Sequence, residues 1–214
     1  MSNTRGCRGL KAFKVYHENG QLMIESFYRD GIREGEHKEW YGNGRLREQS
    51  FCRNGELEGE YKEWYGTGQL KEQSFYRNEK MEGERKVWYE NGRLLSQGFY
   101  RNGKLEGERK FWYANGRLWE QSFWRDGKLE GKHEQWYANG QLNEQTFHRD
   151  GKREGESKVW HENGQLKTYE FYWNGKLVDP AFSWKKKCAI LQVKRWLRVR
   201  IPAVCIISDL AAMC

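Results

Sequence analysis

The chain has 214 residues and carries 38 Lys and Arg against 30 Asp and Glu, yet only 37% of it is apolar. Much of that apolar share is aromatic, with 11 Trp, 12 Tyr and 10 Phe, which argues against a thick aliphatic core and equally against disorder, since disordered chains are poor in aromatics. Two prolines among 24 glycines exclude a collagen-like or proline-rich chain.

The opening residues, MSNTRGCRGLKAF, have no apolar stretch of the kind a secretory signal needs, so the expected compartment is cytoplasmic and reducing. Residues 1–12 are set apart as a leader. Cys7, Cys52, Cys188, Cys205 and Cys214 form no CxxC pair, so neither a disulfide framework nor a zinc site is expected. No apolar run reaches the length of a membrane-spanning helix.

From residue 13 to 177 one unit repeats every 24 residues. A first turn signal recurs as Asn19-Gly20, Asn43-Gly44, Thr67-Gly68, Asn91-Gly92, Asn115-Gly116, Asn139-Gly140 and Asn163-Gly164. A second keeps the same spacing: Asp30-Gly31, Asn54-Gly55, Asn78-Glu79, Asn102-Gly103, Asp126-Gly127, Asp150-Gly151 and Asn174-Gly175. Asn-Gly and Asp-Gly suit the positive φ angles of tight hairpin turns. The segments between them are short, aromatic and free of proline, so each unit reads as two strands and two turns. A further glycine follows an acidic residue at Gly35, Gly59, Gly83, Gly107, Gly131 and Gly155, where a bulge is expected as one hairpin hands over to the next.

Units such as DGKLEGKHEQWYANGQLNEQTFHRDGKREG resemble the MORN repeat, in the longer variant found in bacterial antitoxin-like proteins and in arrays of large DNA viruses. The resemblance spans nearly seven units; Thr67, Glu79 and the incomplete first unit depart from it. It implies stacked β-hairpins and a role in scaffolding or attachment. Together these readings predict an all-β fold: a repeat array of stacked antiparallel β-hairpins in an elongated, single-layer twisted sheet. With two strands per unit spaced ~4.8 Å apart, seven units span roughly 65 Å.

If the first turn is a two-residue hairpin, Trp112 lies opposite Trp119 and Tyr113 opposite Leu118. One face then carries the Trp and Phe rows, the other the Tyr and Leu rows. Apolar enrichment peaks mid-array, and Leu95, Trp112, Trp119 and Phe123 are the candidate protein-binding patch. Gly44, Gly92, Gly116, Gly140 and Gly164 are structural turn residues.

No catalytic, metal or cofactor site is expected. His17, His37, His133, His148 and His161 fall at scattered places in the unit, and no phosphate-binding or nucleophile motif occurs. The repeated Glu48, Glu72, Glu120 and Glu144 read as a ladder paired with Lys, Arg or Gln. Basic and acidic residues alternate along the array, which argues against a nucleic-acid stripe.

Residues 178–214 change character to WKKKCAILQVKRWLRVRIPAVCIISDLAAMC. On a helical projection Ile190, Val193, Trp196, Leu197 and Ile201 share a face opposite Lys187, Lys194, Arg195 and Arg198, a basic amphipathic pattern. A short helical tail is expected there, with three alternatives: it caps the open sheet edge, meets an anionic membrane through Lys187, Lys194, Arg195, Trp196 and Arg198, or is disordered. The function expected is therefore a non-enzymatic scaffold that binds another protein through an aromatic face. Peripheral membrane attachment through the tail and an antitoxin-like role beside a toxin are the alternatives.

Overall fold

The computed structural model describes residues 9–179. Within them the chain forms one sheet of 17 strands, β1 (Lys11–Tyr16) to β17 (Lys176–Val178), with every pairing antiparallel. Neighbours in sequence are neighbours in the sheet. β5 (Glu56–Leu57) and β6 (Gly59–Trp64) are two parts of one interrupted strand on β4 (Leu46–Arg53), and β8 (Lys80–Met81) and β9 (Gly83–Trp88) are the same on β7 (Leu70–Arg77).

The two turn signals fold differently. At the second, Asp126 and Gly127 both have positive φ, and Arg125 pairs directly with Lys128 between β12 (Leu118–Arg125) and β13 (Lys128–Trp136). That is the two-residue turn expected from the sequence. At the first turn, only the glycine is left-handed: Gly116 has φ 88° and Asn115 is absent from the positive-φ residues. Gly116 N–H donates to Tyr113 C=O and Tyr113 N–H to Arg117 C=O, closing a three-residue loop with a glycine bulge. The Asn115 side chain accepts from Arg117 N–H at 2.9 Å, which stabilises this wider loop.

This turn corrects the expected register. Trp112 pairs with Leu118, not Trp119, and Phe111 pairs with Glu120, so Trp119 is the extra residue of a bulge between β12 and β11 (Lys104–Trp112). A slip of one residue moves side chains to the other face. The Trp and Phe rows do share a face, but the Leu row joins them instead of the Tyr row. Trp119 moves to the Tyr side, where its ring meets Phe111 at 5.5 Å and Tyr113 at 6.2 Å.

A second irregularity falls at the strand glycines. Across β12 and β13, Ser122 pairs with His133 and Trp124 with Leu129, so Glu130 and Gly131 are accommodated as a kink. Gly131 has φ 80°, a conformation that a Cβ makes costly.

Among the described residues no second layer covers the sheet. Cys52 and Leu105 are the buried apolar residues among those described, while Ser26, Ser50, Ser74, Ser122 and Thr146 form a buried row along the middle of one face. Longer residues stand opposite that row across the strands: Ser122 pairs with Arg109 and His133, and Gly98, in the same place in its repeat, with Arg85 and Arg109. Stability comes from contacts between neighbouring repeats.

Candidate binding surfaces

Successive repeats are joined at both margins of the sheet by hydrogen bonds that recur with the period. On the first-turn margin Tyr41, Tyr65, Tyr89, Tyr113 and Tyr137 each donate their hydroxyl to the Trp carbonyl of the next repeat, at 2.7–2.8 Å. Asn19, Asn43, Asn91, Asn115 and Asn139 add a side-chain N–H to the next turn's carbonyl. On the second-turn margin Glu34, Glu58, Glu82, Glu106, Glu130 and Glu154 each accept the backbone N–H of the following turn, at 2.7–3.0 Å. The sequence showed these glutamates before each strand glycine, but their partners lie 20 residues away and emerge only from the stacking.

The resulting plate has two unlike faces. On one, Phe51, Phe75, Phe99, Phe123 and Phe147 stand in a row, each 37–43% exposed. Polar rows run beside them: Gln49, Gln73, Gln97 and Gln121 donate to Glu36, Glu60, Glu84 and Glu108, which also hold Lys38, Lys62, Lys86 and Lys110. In the next repeat the charges are exchanged, Lys132 facing Glu134 at 2.6 Å, so the pairing survives. A hollow of about 200 Å³ opens between Glu84, Gln97, Phe99, Glu108 and Lys110.

The opposite face carries the buried Ser row flanked by charged side chains. Arg85 grips Glu72 through two hydrogen bonds, at 2.8 and 2.6 Å, and Arg153 reaches Glu144 at 3.0 Å. The expected carboxylate ladder is thus paired. Glu48 differs: it sits opposite Glu63, and burial, then the charge of Glu39, raises its pKa. Burial also opposes ionisation of Glu120, but His133, Gln135 and Arg109 outweigh it and hold the pKa below the usual value.

Two of the histidines that look unrelated in sequence are neighbours here. His133 on β13 and His148 on β14 (Leu142–Arg149) lie with ring centroids 6.0 Å apart, because His133 pairs with Thr146 and Gly131 with His148, which makes the two rings diagonal neighbours on one face. His133 Nε2 is 3.7 Å from Glu120, whereas the buried His148 Nδ1 has no hydrogen-bond partner. Burial, then the nearby charges of His133 and Arg153, push the His148 pKa down to about 4. Among the described residues no cluster of three or more potential ligands could hold a metal ion, and no helix is long and apolar enough to cross a membrane.

The four residues of the candidate patch do not form one surface. Trp112 and Phe123 stand on the Phe face, while Trp119 stands on the opposite one with Phe111 and Tyr113. Leu95 takes the place in its repeat that Trp119 takes in the next, and Arg47 and Lys71 at the same place reach Glu39 and Glu63 on that side. The tail residues Lys187, Lys194, Arg195, Trp196 and Arg198 lie outside the described residues.

Fold and surfaces define a β-hairpin repeat array, a class of protein built to present long surfaces. The MORN repeat variant model matches seven times, at residues 11–30, 33–52, 57–78, 81–104, 105–126, 129–150 and 153–174. The chain belongs to the MORN-repeat family. Such repeats serve as scaffold and binding modules, generally non-catalytic, toward proteins or membranes. No curated protein matches the sequence.

Proposed function

We propose that this protein is a non-enzymatic scaffold that holds another protein against an aromatic face of the array. The observation that supports this reading is the row of exposed phenylalanines, evenly repeated and bordered by polar side chains already paired with one another. An apolar stripe of this kind offers a partner aromatic anchors, and its satisfied rim need not be unpaired on docking. Because Trp112 and Phe123 stand on one face and Leu95 and Trp119 on the other, single variants separate the two surfaces.

Affinity capture from a cell extract with the full chain, followed by mass spectrometry, tests the proposal. A stoichiometric protein lost with Phe99→Ala/Phe123→Ala but kept with Trp119→Ala supports the Phe face. Loss with Trp119→Ala alone moves the site to the other face. Capture of the same proteins by the full chain and by both variants sinks the reading.

A second reading rests on the basic amphipathic pattern of the tail, for which a cytoplasmic anionic membrane surface is the matching partner. Sedimentation with anionic vesicles, lost when Lys187, Lys194, Arg195 and Arg198 are replaced by Gln, would support it. Binding unaffected by those changes would overturn it.

A further inference from the structure

The fold undoes the alternation of charge that the sequence shows. At the second-turn margin the strand before the turn ends in Arg and the strand after it begins with Lys in four consecutive repeats. Arg77 pairs with Lys80, Arg101 with Lys104, Arg125 with Lys128 and Arg149 with Lys152. All of these are exposed, and like charges directly opposite one another repel. In the two repeats before them Ile32 and Glu56 take the place of the Lys.

Little neutralises this row. Among the described residues the one ion pair it makes is Lys128 with Asp150, at 3.9 Å and between side chains 61% and 78% exposed. Glu58, Glu82, Glu106 and Glu130 at the same margin are held instead by the backbone N–H of the following turn. Each Arg follows a Phe of the exposed row by two residues, Phe75, Phe99, Phe123 and Phe147, and so stands on the same face. An apolar row and a cationic row therefore run side by side over the same four repeats. Beyond the Phe row the charges are balanced: Glu60, Glu84 and Glu108 are 39–43% exposed and each is paired with a Lys.

We propose, resting on the reading that the Phe face holds a protein, that its partner presents an extended acidic segment. Apolar side chains of that segment lie on the Phe row and its carboxylates on the Arg and Lys row. The dimensions agree. Two strand spacings make each repeat about 9.6 Å long, and three residues of extended or polyproline chain cover about 9–10 Å. A segment with an acidic residue at every third position thus meets each Arg–Lys pair in turn. The narrowness of the strip also selects among polyanions. A nucleic acid or an anionic membrane lying across the face would set phosphates against Glu60, Glu84 and Glu108 as well, whereas a single extended segment fits beside the Phe row.

Fluorescence anisotropy with the full chain and a labelled peptide of four Leu-Glu-Pro units tests this. The expected result is saturable binding that weakens as salt rises. Arg101→Glu/Lys104→Glu should weaken it by about tenfold or more. Lys11→Glu/Lys167→Glu, the same change of charge at exposed residues away from the row, should leave it unchanged. A peptide of four Leu-Lys-Pro units should bind the reversed row better than the original one, an outcome that loss of the fold would not allow. No saturable binding, equal binding of a Leu-Gln-Pro peptide, or equal loss with both double variants would overturn the proposal. Tighter binding of single-stranded DNA of equal charge, or of phosphatidylserine vesicles, would overturn it too. If Arg101→Glu/Lys104→Glu leaves Phe-dependent capture of a protein intact, the acidic segment falls and the scaffold reading stands; capture indifferent to the Phe changes sinks that reading by itself.

Discussion

The two margins of the plate meet the same requirement, fastening each hairpin to the next, by different chemistry. The first-turn margin uses side chains: a Tyr hydroxyl and an Asn amide reach carbonyls 23 residues on. The second-turn margin uses backbone donors, one to a carbonyl and one to a side chain: Gly127 N–H donates to Leu105 C=O, and Asp126 N–H donates to the Glu106 carboxylate. The difference explains which departures from the repeat each margin tolerates. Thr67 has no amide to offer, yet Tyr65 still reaches the Trp88 carbonyl and Gly68 still closes the loop. Glu79 must adopt φ 60° where other repeats have glycine, yet its N–H still bonds Leu57 C=O at 3.0 Å. Redundant links at each margin leave room for one imperfect turn.

The strongest way to break the second margin is at the kink that feeds it. Gly131→Val places a β-branched residue at a left-handed φ and should cost about 2–3 kcal/mol, read as a lower midpoint in urea unfolding. An unchanged midpoint would mean that the kink relaxes without a glycine.

Between the margins, the His148 site should make the array sensitive to acid. The folded pKa lies near 4 against 6.5 when unfolded, so the unfolded chain binds the proton first and stability falls as pH drops from about 6.5 to about 4. Discounted for partial solvent access, the loss is about 1 kcal/mol. His148→Gln, which does not titrate, should flatten thermal stability across that window; an equal slope would refute the assignment.

Tyr113→Phe removes one hydroxyl link from the first margin and should cost about 1 kcal/mol. Hydrogen exchange should show the loss locally, in the amides around Trp136. Smallest is Glu79→Gly, which relieves the left-handed glutamate and should stabilise the array by about 0.5–1 kcal/mol, the gain reduced by glycine's greater freedom when unfolded. A destabilised Glu79→Gly protein would show that the strain is already absorbed elsewhere.

The sequence alone determined the repeat, the all-β class, the two turn positions and the kink at the glycines. These follow from local chemistry: Asn-Gly and Asp-Gly bend the chain wherever they occur, and a strict 24-residue period leaves little choice of partner. It also placed the Trp and Phe rows together, because beyond the bulge the register is that of a symmetric hairpin, with Glu108 opposite Phe123, and alternation along β11 brings Trp112 to the side of Glu108. Only the tertiary structure decided what depends on the exact path of a turn or on residues far apart in the chain. An Asn-Gly pair fits both a two-residue and a three-residue loop, and that one-residue difference sent Trp119 to the face opposite Trp112 and Phe123. Likewise the glutamates that hold the next turn sit at the kinks that shift register, while His133 and His148 meet as diagonal neighbours of the Gly131–His148 and His133–Thr146 pairs. A bulge is set by hydrogen bonds between strands, which no single segment of sequence contains.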